Sequence, residues 1–218
     1  MNYFVSLHSN CKNMQENKTI SAYKQDLRDK ILRTAMSAFA ENGIKAVKMD
    51  DIAARLSISK RTLYELYCNK EELLSEGIKA YQRQKREEME LMNLRSENVM
   101  ELMLGVYKMK VDEFRVTSPL FYSDLSKYPQ VLQMLKMQNQ TNHGHFVKFM
   151  ERGVKEGYFR KDVNYELAGR LFEALGRYVM EQHLYEQFNI EEIFNNLVFV
   201  SLRGLCTEKG VKALEKFH

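Results

Sequence analysis

Two prolines, Pro119 and Pro129, and ten glycines are all the strong backbone breakers in 218 residues. A β-rich chain of this length turns often, and turns draw on glycine and proline. A chain with so few of either runs in long helices. The apolar spacing agrees. Leu27, Ile31, Ala35 and Phe39 recur every fourth residue, with Leu32 and Met36 broadening the stripe, the pattern of an amphipathic helix. The 44% hydrophobic and 28% charged fractions are ordinary for a globular protein, and the chain is long enough to bury a full core without covalent staples.

Other classes are excluded on chemistry. Cys11, Cys68 and Cys206 are far apart and form no CxxC pair, so a reducing cytoplasm is expected rather than a disulfide scaffold. The N-terminus has no basic start and only a three-residue apolar run, Tyr3 to Val5, unlike a secretion signal. No stretch approaches the roughly 18 apolar residues of a membrane span, and no membrane partner is expected. The net charge of +4 permits a polyanionic partner without requiring one. His143 and His145 are two apart; on a helix they point about 200° away from each other and do not share a metal ion. His183 stands alone and reads as a satisfied polar group. Cys68 lacks a resolving cysteine and is set aside as a redox sensor. No nucleophile–base pair, carboxylate dyad, metal cluster or phosphate loop suggests an enzyme or a cofactor.

Along the chain, residues 1–20 show no period and read as a loosely ordered arm, with Met14 as an alternative start. A helix follows from Ser21 to Asn42, and Gly43 ends it. Short helices are expected over 49–56 and 60–67, joined by Ser57, Ile58 and Ser59. Asn69, with Glu72 three residues on, opens a long helix, whose highly charged stretch over 82–90 is a solvated face. A second half begins near Ser96. Ser118-Pro119 and Tyr128-Pro129 are helix starts, and Gly157 closes the helix that begins at Pro129. Leu167, Leu171, Phe172, Leu175, Tyr178 and Val179 line the next helix. Asn189, with Glu192, opens the last main one. From Ile190 to Cys206, ten of seventeen residues are apolar and cover more than one face. Such a helix is either a central core helix or one that packs on its own domain and on a partner subunit.

Residues 48–67, KMDDIAARLSISKRTLYELY, carry the functional signal. Ile52, Ala53 and Leu56 face inward on one short helix, Leu63 and Leu66 on the next, and Ile58 plugs the turn. That is the arrangement of a helix-turn-helix. Lys60, Arg61, Thr62, Tyr64 and Glu65 face outward from the start of the second helix, where Ser59 is a good cap. That end enters the major groove in DNA-binding units of this kind. Lys and Arg there contact phosphates or guanine edges, Thr a phosphate or a thymine methyl, and Tyr64 a phosphate. Between positions 45 and 61 five basic residues (Lys45, Lys48, Arg55, Lys60, Arg61) face two acids, Asp50 and Asp51. The excess is modest, so specificity rests on geometry more than on bulk charge.

With these residues in place, the stretch ILRTAMSAFAENGIKAVKMDDIAARLSISKRTLYELYCNKEELL, positions 31–74, resembles the N-terminal domain of TetR-family transcriptional regulators. The shared pattern is Phe39, Gly43, Asp51-Ile52-Ala53, Ser59, Thr62-Leu63-Tyr64, Tyr67 and Lys70-Glu71-Glu72-Leu73. Two positions depart from it: Lys48 replaces a capping Thr, and Ser57 replaces Gly, where a side chain sits in a costly turn conformation. The resemblance implies that Thr62, Tyr64 and Lys70 contact phosphates, that Lys60 and Arg61 read bases, and that Lys48 reaches a phosphate; Ser59 completes the candidate set. Tyr67 reads as a core aromatic.

The expected fold is all-α: a three-helix DNA-binding domain over 21–68, a connecting helix over 69–95, and a larger ligand-binding and dimerisation domain over 96–218. The expected function is a sequence-specific DNA-binding regulator, a ligand-responsive repressor acting as a homodimer on a palindromic operator. Activation instead of repression stays open, as does a helical adaptor with a vestigial helix-turn-helix. Leu171, Leu175, Ile193, Leu197 and Val200 are the candidate dimer contacts. Met103, Tyr107, Phe114 and Phe121, with Met150, Phe172 and Tyr178, are the candidate lining of an effector pocket; the plainer reading makes them core.

Overall fold

The computed structural model describes residues 4–215, with side chains for all of these except 4–21 and 138–142. The described residues form helices; the sole β feature among them is an isolated bridge between Phe159 and Cys206. The chain divides into two compact units. One comprises residues 1–38 and 47–80, the other residues 39–46 and 81–218.

In the first unit lies most of α1 (Phe4–Asn42). This helix begins within the segment expected as an arm over 1–20; residues 1–3 lie outside the described residues. No glycine or proline interrupts this segment, so nothing in it forces a break. Next come α2 (Met49–Arg55), α3 (Lys60–Leu66) and the first turns of α4 (Lys70–Arg95). Ile31, Ala35, Ile52, Leu63, Leu73 and Leu74 are essentially inaccessible and make the core. Tyr67 is buried with them, and the Arg28 guanidinium lies 5.1 Å from its ring centroid.

The second unit holds the remainder of α4, then α5 (Val99–Val116), α6 (Pro119–Leu125), α7 (Pro129–Lys155) and α8 (Tyr165–Glu181). A one-turn α9 (Leu184–Gln187) precedes the last long helix. That helix runs as α10 (Ile190–Ile193), a π-helical stretch (Phe194–Phe199) and α11 (Val200–Arg203). A terminal α12 (Glu208–Leu214) follows. Starts follow local chemistry. Ser118 accepts from the Leu120 N–H at 3.3 Å before Pro119. Asn189 and Glu192 form a reciprocal capping box at 2.9 and 3.1 Å. Gly157 takes a φ of +80° at the end of α7. Val99, Met100, Met150, Phe159, Phe199 and Leu202 are central to the core.

The turn at 39–46 belongs to this second unit, and α6 holds it. The Ser118 N–H donates to the Ala40 carbonyl at 2.7 Å, and the Lys45 N–H donates to Asp124 Oδ2 at 2.7 Å. Gly43 sits at φ +81°, and a Cβ there would lie 2.8 Å from Leu120 Cβ. Only glycine meets both demands. Asp124 is buried. Burial alone would raise its carboxyl, but the bonds from Lys127 and the Lys45 N–H outweigh this and hold it below the usual range.

Candidate functional site

The α2–α3 pair is built by short-range rules. Lys48 stands at the N-cap of α2 without a side-chain bond to the helix, since an ammonium has no acceptor. Asp51 compensates: its carboxylate accepts from the Lys48 N–H at 2.9 Å, the half of a capping box that an acid at the third position supplies. Leu56 ends α2, and Ser57 follows at φ +53°, the conformation anticipated from the departure at that position. Ser59 Oγ then accepts from the Thr62 N–H at 3.0 Å, and its hydroxyl bonds the Thr62 hydroxyl at 2.7 Å. Ile52, Ala53 and Leu63 are buried between the helices, while Ile58 is half-buried in the turn.

This scaffold leaves one face of α3 open. Lys60, Arg61, Tyr64 and Glu65 are exposed and Thr62 is half-buried. The two candidate base readers each have an acidic companion. Lys60 Nζ lies 2.5 Å from Asp50 Oδ2, and Arg61 Nε donates to Glu65 Oε1 at 2.8 Å. These hydrogen bonds, more than the charges alone, hold both basic groups above their ordinary values. The Arg61–Glu65 spacing of four residues was a readable signal for that pair; Asp50 meets Lys60 through the fold of the turn. Lys70, at the start of α4, donates to the Val47 carbonyl at 2.9 Å, so it ties the entry of α2 to α4. Lys48 is exposed.

The pocket candidates are dispersed. Met150 is fully buried in the core, and Met103, Tyr107 and Phe172 pack against it. Those four are core side chains. Phe121 lies edge-on to Tyr122, and Tyr178 is exposed. Phe114 alone of the seven lines a cavity of about 250 Å³ formed with Arg115, Tyr122, Tyr185, Phe188 and Glu191, among others. These residues come from two stretches, 114–122 and 185–191, far apart in the sequence.

Of the candidate dimer contacts, Leu171 and Val200 are exposed, Leu175 and Leu197 are half-buried, and Ile193 is buried within its own unit at 6% exposure. Leu167 and Tyr178, also exposed, extend the α8 stripe.

His143 sits between two carboxylates of α8, 2.6 Å from Glu166 and 3.0 Å from Glu173, while His145 is exposed. The two histidines do not converge. His183 bonds the Tyr185 hydroxyl at 2.7 Å. No cluster fit for a metal occurs among the described residues. Cys68 is exposed; Cys206 is buried, donates to the Leu202 carbonyl, and burial pushes its thiol up to about 11. No helix among the described residues is long and apolar enough to cross a membrane.

The chain is similar to known transcriptional regulators. Residues 31–76 match the family model described as bacterial regulatory proteins, tetR family. The HTH-type transcriptional repressor KstR2 of Mycolicibacterium smegmatis is 26% identical over 149 residues, covering 66% of this chain and 72% of the relative. Among solved structures, the ketosteroid transcriptional regulator KstR2 of Mycobacterium tuberculosis aligns with a TM-score of 0.54 at 20% identity, covering 83% of this chain and 95% of that one. A TetR-family transcriptional regulator from Cytophaga hutchinsonii aligns at 0.67 with 15% identity, covering 86% and 98%.

Proposed function

We propose that the chain is a DNA-binding transcriptional regulator of the TetR type, acting as a ligand-responsive repressor that binds a palindromic operator as a homodimer in the cytoplasm. The observation that carries this reading is the open N-terminal half of α3. Ser59 spends its hydroxyl capping the helix, and Lys60, Arg61 and Tyr64 project from the end that enters a major groove. Residues 21–68 carry DNA binding, 69–95 connect, and 96–218 carry effector binding and dimerisation. Lys60 and Arg61 read bases; Lys48, Thr62, Tyr64 and Lys70 meet phosphates, with Ser59 holding the helix start.

Dimerisation is supported by the exposed apolar stripe of Leu167, Leu171 and Tyr178 on α8, and by Val200 on the helix that packs beside it. A two-fold dimer carries two recognition helices, one for each half-site of a palindrome.

The test is binding of the purified protein to the intergenic DNA upstream of its own gene, at several salt concentrations, with footprinting. A protected palindrome bound by two subunits is the expected result. Weak, sequence-blind binding to DNA containing its operator would overturn the reading and favour an adaptor acting through protein contacts.

A further inference from the structure

The cavity beside Phe114 is walled by Tyr122, Tyr185, Phe188 and Ile190 and carries one ion pair at its edge. Phe114 and Tyr122 stack at 5.0 Å, and Tyr122 meets Tyr185 at 5.4 Å. The pair is Arg115, in the last turn of α5, with Glu191, in the first turn of α10.

The geometry of that pair is lopsided. Arg115 Nε and Nη2 both donate to the same oxygen, Glu191 Oε1. The Nε/Nη2 edge of a guanidinium matches two carboxylate oxygens in parallel bonds, and here only one oxygen meets it. Glu191 has another supporter: the backbone N–H at the start of its helix, which together with Arg115 holds its carboxyl below the usual range. Among the described residues, the other acid near Arg115 is Asp112, whose Oδ1 lies 3.9 Å from Nη1. Releasing Glu191 therefore leaves it solvated by helix and water. An arriving carboxylate gains the fork that Glu191 half fills. The Arg115 side chain is 62% exposed, so the present pair is a weak obstacle. Burial pushes the Tyr122 hydroxyl up to about 12.

We propose that this cleft binds a small organic carboxylate with a compact apolar or aromatic body, the carboxylate taking the place of Glu191 on Arg115 and the body lying among Phe114, Tyr122, Tyr185 and Phe188. At about 250 Å³ the space is just below the usual range of about 300–1,000 Å³ for small-molecule sites, which suits a single-ring acid. The cleft also bears on the segment that runs into α2. Thr117 and Pro119 line it, and Ser118 between them donates to Ala40 while Asp124 of the same α6 accepts from Lys45. A ligand favouring a different setting of α6 thereby acts on the turn at 39–46. This deepens the ligand-responsive reading and rests on it only for the effect on DNA.

The experiment uses the full chain without DNA and three probes sharing one body: 4-phenylbutyrate, 4-phenylbutanol and 4-phenylbutyl-trimethylammonium, titrated calorimetrically. The carboxylate should bind at least about tenfold more tightly than the alcohol, the scale of a charge-assisted hydrogen bond. Arg115→Gln should abolish that preference. Glu191→Gln should strengthen carboxylate binding several-fold by removing the competitor, an effect opposite in sign to general damage. Equal or tighter binding of the alcohol or the ammonium probe, no binding by any probe, or an unchanged preference in Arg115→Gln would overturn the proposal. Operator release, measured separately, distinguishes the two readings. Carboxylate binding without release leaves the site standing and removes ligand response; release by a ligand that ignores Arg115 does the reverse.

Discussion

Neither Lys60 nor Arg61 stands alone on the face that α3 presents. Asp50 and Glu65 hold them at 2.5 and 2.8 Å, and both pairs are too exposed to add much stability. Their consequence lies in binding. A carboxylate one turn along from Arg61 opposes phosphates in every register, while a guanine edge in the right register still draws the guanidinium away. Glu65 thus lowers sequence-blind affinity more than operator affinity. Glu65→Gln should raise affinity for non-operator DNA several-fold at low salt and steepen the log–log salt dependence by about one unit. Arg61→Ala should instead cost about 1–3 kcal/mol at the operator and relax preference at one base position. Fluorescence anisotropy titrations across salt concentrations measure both; an unchanged non-operator affinity for Glu65→Gln would remove the role given to that carboxylate. At this scale the sequence was largely legible. Ser59 as cap follows from its immediate neighbours, while Ser57 at positive φ and Tyr67 as a core aromatic were legible through the family resemblance. Lys70 was less so, because its bond to the Val47 carbonyl spans 23 residues.

Helices declare their starts locally, so Ser118-Pro119, Tyr128-Pro129 and the Asn189–Glu192 box were readable. Less legible was whatever depends on a neighbouring element. The π-helical turns at Phe194–Phe199 shift the register inside a segment whose apolar residues already cover two faces, and Ile193 turns inward as a result of packing rather than of spacing. The same holds for His143. Its spacing from His145 argued only against a metal site, whereas the structure seats it on α8 against Gly169, where a Cβ would lie 2.7 Å from the ring. The hydrogen bond to Glu166, helped by Glu173, raises the imidazole above its ordinary value. A raised folded-state value means the stabilisation is complete below the unfolded value of about 6.5 and is lost as pH climbs through the folded one. The stability of the wild type relative to His143→Gln should therefore be greater at pH 6 than at pH 9. Urea unfolding at the two values measures it, and a pH-independent difference would show that the ring acts by packing alone.

For the whole molecule, composition and periodicity were enough for an all-helical chain, and one motif was enough for its DNA-binding unit. The cavity beside Phe114 was invisible because residues 114–122 and 185–191 meet only in three dimensions. Dimerisation lies between these cases. The stripe of Leu167, Leu171 and Tyr178 was implicit in helical spacing, yet spacing does not say which apolar face remains uncovered. Exposure does: Leu167 is 64% and Leu171 51% accessible, on a helix whose adjacent face, about 100° around at Ala168 and Phe172, packs into the core. A two-fold interface repeats every contact, so one substitution at its centre places two charges in it. Burying them without partners costs about 3 kcal/mol or more, which is at least about a hundredfold in the dimer dissociation constant. Leu171→Glu should thus yield a folded monomer by sedimentation at micromolar concentration, with unchanged helical circular dichroism. It should also lose the two-subunit footprint, because a single head spans one half-site and gives up the second set of phosphate contacts. If Leu171→Glu sediments as a dimer, the partner-facing surface lies elsewhere than on α8.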